Sequence, residues 1–189
     1  MATLSPYFFR YLRPLALLLP LALLPAFALA ASARVIDVKV DEALQHFKQE
    51  VAGARTFLAS AKGVLVFPEV IKAGFGIGGE YGEGALRIGG RTVDYYSTAG
   101  ASIGFQLGAQ SKTVILVFLE QQALDQFRRS EGWKAGVDGS VALVKTGVGG
   151  SLDTTNIQDP IVGFIFGNKG LMYNLTLEGS KYTRLNKKK

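Results

Sequence analysis

The residues of this sequence that most invite a chemical reading are glycines. Gly74-Phe75-Gly76-Ile77-Gly78-Gly79 fits the G-x-G-x-x-G pattern of dinucleotide-binding loops, and Asp94 follows at about the spacing of a ribose-binding acid. That chemistry requires the glycines to end a strand and open a helix, whose N-terminal amides receive the pyrophosphate. Here they run into Glu80-Tyr81-Gly82-Glu83-Gly84, which cannot open a stable helix. Spacings of two and multiples of two recur at Gly100, Gly104 and Gly108. This is the pattern of strands with one bare face, on which another backbone can close. No nucleotide is expected to bind there.

Hydrolytic chemistry finds less support. His46 is the only histidine, at a polar position of an expected helix, so no second histidine completes a metal site. The chain has no cysteine, which removes thiolate nucleophiles, thiolate metal sites and disulfides together. Glu80 and Glu83 lie near bare backbone, but their odd spacing points them to opposite faces of a strand. The same alternation separates Tyr95 from Tyr96, one of which is expected in the core. The sequence therefore predicts no enzyme, no cofactor and no metal centre.

What remains is surface binding. Arg128, Arg129 and Lys134 flank Trp133, and Lys187, Lys188 and Lys189 end the chain. Cations beside an amphipathic ring suit phospholipid phosphates and the interfacial zone beneath them. These seven residues are the candidate lipid-binding set, although Trp133 also reads as a partly buried anchor and the lysine tail as a solvated end. The net charge of +6 has no concentrated basic stripe behind it, so nucleic acid is not an expected partner.

The elements that would position these residues follow from periodicity. Val40, Leu44, Phe47 and Val51 predict an amphipathic helix over Asp41 to Gly53, and Ala54 to Ala61 a short second one. Gly63 to Phe67 reads as a buried strand ended by Pro68. Further strands are expected at Ala73 to Tyr81 and Ala85 to Ile88, a turn at Gly89-Gly90, then extended segments Thr92 to Ser97 and Ala99 to Ala109. Thr113 to Leu119 (TVILVFL) is a continuous apolar run, as in a strand buried on both faces. Gln121 to Arg129 is a helix with Leu124 and Phe127 inward. Val137 to Lys145, Ile161 to Phe166 and Leu171 to Glu178 complete the strands, with a hairpin turn at Gly167-Asn168-Lys169-Gly170 and a long loop over Lys145 to Asp159. The fold class is α+β: a β-rich, strongly twisted antiparallel sheet or barrel-like domain, with N-terminal helices and one internal helix.

The first thirty residues read as a leader. Arg10 and Arg13 precede an apolar run broken by Pro20 and Pro25, and Ala28-Leu29-Ala30 and Ala31-Ser32-Ala33 offer cleavage after Ala30 or Ala33, the pattern of a Sec-type signal peptide. The run is shorter than the ~20 residues of a spanning helix. No lipobox cysteine follows. The expected organisation is a signal peptide over 1–30, one domain over 34–186, and a basic tail over 187–189, located in the periplasm or associated with the envelope.

Several blocks together resemble the SYLF family, also described as the yeast-type actin-binding domain family. They are Ala61-Lys62-Gly63-Val64-Leu65-Val66-Phe67-Pro68; Lys72-Ala73-Gly74-Phe75-Gly76 with Gly79-Glu80-Tyr81-Gly82-Glu83-Gly84; Tyr95-Tyr96-Ser97; Gly108-Ala109-Gln110-Ser111; Gly132-Trp133; Phe164-Ile165-Phe166 with Lys169-Gly170-Leu171-Met172; and Leu177-Glu178-Gly179-Ser180-Lys181. The resemblance implies a non-enzymatic, lipid-binding module. Its actin and phosphoinositide associations do not transfer to an exported bacterial chain, for which an ordinary phospholipid surface is the expected ligand. Two other readings stand beside it: a small outer-membrane β-barrel, and a module that binds an envelope protein through its glycine-faced strands.

Overall fold

Two very long strands organise the domain. β1 (Gly63–Ile88) and β2 (Arg91–Phe118) pair antiparallel from end to end, joined at Gly89-Gly90. Both turn glycines have positive φ, 57° and 76°, which a two-residue hairpin of this hand requires and other residues resist. The computed structural model describes residues 31–145, 159–169, 177 and 179–187, with the backbone alone at 75–77, 102–108, 145, 168 and 169. The expectations for residues 1–30, most of the 145–159 loop, most of the 171–178 strand, and Lys188 and Lys189 lie outside the described residues. Ala31–Lys189 forms one compact unit.

The free edge of β2 carries the rest of the sheet. Its Tyr95–Ala99 segment pairs with β6 (Lys181–Leu185), and its Ser111–Phe118 segment pairs with β5 (Ile161–Lys169). β3 (Trp133–Lys134) adds to β6, and β4 (Ala142–Lys145) adds to β5 in parallel, giving the order β3-β6-β2-β5-β4. The fold is the expected α+β one, with a strongly curled, mixed sheet in place of a purely antiparallel one.

The glycines allow the curl. A Cβ at Gly84 would enter the Val66 carbonyl oxygen and approach Phe67 Cδ1 to 2.7 Å. One at Gly82 would lie 2.7 Å from the Glu69 carbonyl oxygen. β1 therefore doubles back across its own first limb at a distance only glycine permits.

Alternate residues then enter two cores. Val64, Val66, Ile115, Val117, Val162 and Phe164 face α1 (Ala33–Glu50) and α2 (Ala54–Ser60). Leu65, Phe67, Leu116, Phe118 and Ile165 face α3 (Gln121–Arg129), with Trp133 and Tyr182. This is why Thr113 to Leu119 reads as an uninterrupted apolar run: both faces are covered. Each buried large apolar side chain contributes about 1.5–3 kcal/mol of transfer free energy.

Several local expectations are corrected. α1 begins at Ala33, not Asp41, because the Ser32 hydroxyl caps it by accepting from Val35 N–H (3.4 Å), and Ile36 extends the buried stripe of Val40, Ala43 and Phe47. Pro68 does not end its strand. It sits in a register shift between Phe67 and Val70, where no ladder N–H is needed, and its carbonyl accepts from the Thr113 hydroxyl at 2.9 Å. Gly167 to Lys169 is not a turn but the end of β5. There Gly167, at φ 64°, accommodates the irregularity opposite Ser111 and Thr113. Of the expected strand over Val137 to Lys145 only β4 forms; the Lys134–Asp138 turn replaces the rest. Tyr95 and Tyr96 do point to opposite faces, but each is buried, one in each core.

Candidate functional site

α3 is short and strongly amphipathic; Leu124 and Phe127 are buried and its C-terminal turn carries Arg128 and Arg129. Cations there complement the negative end of the helix dipole. The end is tied down by a guanidinium network. Arg128 Nε and Nη2 both lie 3.2 Å from Asp94 Oδ2, and Arg184 Nη2 lies 3.7 Å from the same oxygen. Arg184 also donates to the Arg128 carbonyl (2.7 Å) and to the Tyr96 hydroxyl (3.3 Å), with its guanidinium 5.8 Å from the Tyr96 ring centre. The Tyr96 bond is the largest influence holding the Arg184 pKa above its ordinary value. One carboxylate thus serves two guanidinium groups. Arg129 is exposed.

The edge beside this network is also basic. Trp133 pairs with Tyr182 and Lys134 with Lys181, so the two lysines are directly opposite neighbours on the outer face of β3 and β6. Both are exposed, and among the described residues neither ammonium joins an ion pair. Like charges directly opposite across strands are destabilising by themselves. Gly132 leaves the space through which the Lys181 side chain passes. The acids at this edge are Glu131 and Asp138, both exposed; Asp138 Oδ2 accepts from the Lys134 backbone N–H at 2.7 Å. Arg128, Arg129, Lys134, Lys181 and Arg184 outnumber Asp94, Glu131 and Asp138 around this edge, with Lys134 and Lys181 on the strand face opposite Arg184.

Two expected members of the binding set are corrected. Trp133 is 2 % exposed. Its ring packs edge-on to Phe127 (5.5 Å between centroids) and against Tyr182 (5.8 Å), and Gly139 covers it. It is a core anchor, the second of the two readings the sequence offered for it. Lys187 is not a tail cation either. Its ammonium lies 3.0 Å from Glu83 Oε2 and donates to the Ala31 carbonyl at 2.7 Å, with both side chains 11 % exposed. Arg129 and Lys134 are exposed as expected, Arg128 is half-engaged by Asp94, and Lys188 and Lys189 lie outside the described residues. Lys181 and Arg184 escaped the sequence reading. Lys181 falls in a block read only as family wording, and its position opposite Lys134 depends on a pairing between residues nearly fifty apart.

A second polar group lies inside the curl. Lys112 Nζ is 2.8 Å from Glu80 Oε2, and Ser180 donates to Glu80 Oε1 at 3.0 Å. Burial is the main cause, and the Glu80 charge the next, that raise the Tyr182 pKa. Ser180 and Thr98 stand close to its hydroxyl, but no hydrogen bond of normal length forms. This cluster ties the return limb of β1 to β2 and to the entry of β6. The Gly74 to Gly79 segment lies within β1 and continues as strand.

A family model described as Ysc84, Las17-binding protein actin regulator, matches residues 99–188, which include β2 from Ala99 onward, α3, the basic edge and β6. Over residues 99–188 the chain is similar to the Ysc84, or SYLF, family. The blocks before residue 99 that resemble the family lie in or beside β1 and, at Tyr95-Tyr96-Ser97, in β2; β1 pairs with β2 along its length in the same sheet. A comparison with curated proteins found no match to the chain.

Proposed function

We propose that this SYLF-like domain is an exported, non-enzymatic binding module that attaches peripherally to anionic phospholipid surfaces through its basic edge. The observation that carries the reading is the Lys134–Lys181 pair. Two exposed lysines paired directly opposite each other across β3 and β6 are repulsive until an anion lies across them. Phosphate oxygens of a lipid surface meet that geometry without a pocket. Attachment is then electrostatic, with no deep apolar insertion, because the one tryptophan of the chain is in the core.

The test is sedimentation of the mature protein with vesicles rich in phosphatidylglycerol, compared with phosphatidylcholine alone, across salt. Binding is expected to the anionic vesicles only, to weaken steeply between low and physiological salt, and to fall in the double variant Lys134→Ala with Lys181→Ala. No binding above background at low salt, or binding indifferent to the double substitution, overturns the proposal. A membrane-spanning barrel fits less well, since Val64 to Phe67 of β1 and Val114 to Phe118 of β2 have their apolar side chains covered by protein on both faces. The envelope-protein reading makes a different prediction: capture of a single protein by the same edge with no lipid binding.

A further inference from the structure

Ala31 is held more tightly than a residue ahead of a helix needs to be. Its backbone N–H donates to Glu83 Oε2 at 3.1 Å, and its carbonyl accepts from Lys187 Nζ at 2.7 Å. Glu83 also receives the Tyr81 hydroxyl on its other oxygen at 3.0 Å and the Lys187 ammonium at 3.0 Å. Burial first, and the Glu83 carboxylate second, push the Tyr81 pKa up to about 12. β1 and the segment after β6 thus build a socket around one backbone amide. Ser32 next to it caps α1, and Ala33, 7 % exposed, is its first buried residue.

The geometry points to Glu83 as the receptor of a newly made N-terminus: processing occurs between Ala30 and Ala31, and the α-ammonium released on Ala31 binds the Glu83 carboxylate. The inference rests on the export reading. Hydrolysis of the Ala30–Ala31 bond consumes one water, leaving a carboxylate on Ala30 and an ammonium on Ala31. The nitrogen already stands at ion-pair distance from Glu83, so the hydrogen bond of the precursor becomes an ion pair. Cleavage after Ala33 would instead remove both contacts of Ala31, the Ser32 cap and the first buried residue of α1. The groups facing the amine are Glu83, Lys187 and Tyr81; Glu83 raises its pKa and the Lys187 ammonium opposes that rise.

The chain exported with its own leader is expected to have an intact mass beginning at Ala31. A product beginning at Arg34, or an uncut chain, overturns the inference. In the mature protein the α-amine, titrated through the pH dependence of its acylation, is expected to have a pKa about one unit or more higher than in Glu83→Gln, and to rise further in Lys187→Met. Equal values in all three proteins overturn the socket. Should Glu83→Gln fail to fold, Lys187→Met decides: with the opposing ammonium gone, its amine at neutral pH is expected to react about tenfold more slowly than in the same chain unfolded in urea, as one unit of pKa implies, and equal rates refute it. None of these readouts involves lipid, so failure of the membrane proposal and failure of this one are distinguishable.

Discussion

Replacing Gly84 by alanine tests the role of the glycine-laced strands most directly. The added Cβ would fall inside the van der Waals envelope of the Val66 carbonyl oxygen, 2.8 Å from the Val66 carbonyl carbon and 2.7 Å from Phe67 Cδ1. Carbon atoms at rest stand about 3.5–4.0 Å apart, so the two limbs of β1 must separate by roughly 1 Å at that point. The obstacle is backbone in a closely packed curl, and no side-chain rotation relieves it. Overpacking of this kind costs about 1–3 kcal/mol, and a backbone clash belongs at the upper end, about 3 kcal/mol. For a domain of this size that is a loss of about 6–12 °C in Tm. Gly79→Ala is the matched control. It lies in the same strand, at the end of the G-x-G-x-x-G stretch, but among the described residues its Cβ would meet only the Gly100 carbonyl oxygen, at an ordinary 3.7 Å. Its expected change is under about 1 kcal/mol. Urea unfolding of both variants at neutral pH gives the comparison. Equal stability of the two proteins, or a larger loss at Gly79, would refute the view that the glycines serve close approach of β1 to itself.

Other expectations concern the same architecture. Trp133, the single tryptophan, should emit at blue-shifted wavelength in the native protein and stay unchanged when anionic vesicles bind; a vesicle-induced shift would return it to the membrane contact set. Truncation to alanine should cost about 3–5 kcal/mol by urea unfolding, because Trp133 seals Phe127 and Tyr182. Lys112→Met leaves Glu80 buried and short of its main partner. A loss of about 3–5 kcal/mol is expected, with a substantial part recovered when Glu80→Gln is added; a double variant no better than the single would contradict the pairing. Desolvation, followed by the bonds to Glu83 and Asp37, raises the Tyr81 and Tyr95 pKa values to about 12 from an ordinary 10.0. The stability these tyrosines contribute is complete below about pH 10 and is lost as pH rises through about 12. Absorbance titration should show native tyrosines ionising late and the transition moving to about pH 10 in urea.

The α1 stitching shows how the helices and sheet cooperate in that alkaline limit. Asp37 accepts from Thr92 Oγ1 at 2.6 Å and from the Tyr95 hydroxyl at 2.9 Å, and Arg87 reaches Asp41 at 2.8 Å. Ionising Tyr95 removes a donor and sets two negative groups together, so α1 is expected to loosen first. Hydrogen exchange along α1 near pH 11 would report it.

Local chemistry was legible in the linear chain wherever neighbours in sequence are neighbours in space. The bounds of α3, the Gly89-Gly90 turn, the opposite orientation of Glu80 and Glu83, and the two-faced burial of Thr113 to Leu119 all follow from periods of 3.6 and 2 and from backbone freedom at glycine. The glycine spacing also announced bare strand faces. It could not say that the bare face would meet its own strand, because the doubling back of β1 brings Gly84 onto Val66 through a bend that no local preference dictates. The binding set divides the same way. Composition marked Arg129 and Lys134 as exposed cations, and they are. Trp133 and Lys187 look like surface residues by their neighbours in sequence, yet one is core and the other half of an interior ion pair. Their partners, Tyr182 and Glu83, lie about 50 and 100 residues away, and only sheet register brings them within reach. Lys181 joins Lys134 for the same reason. Residue type and spacing settled which groups carry charge and which strands alternate; the folding of β1 and β2 on themselves settled which of those charges meet each other and which are left for a partner.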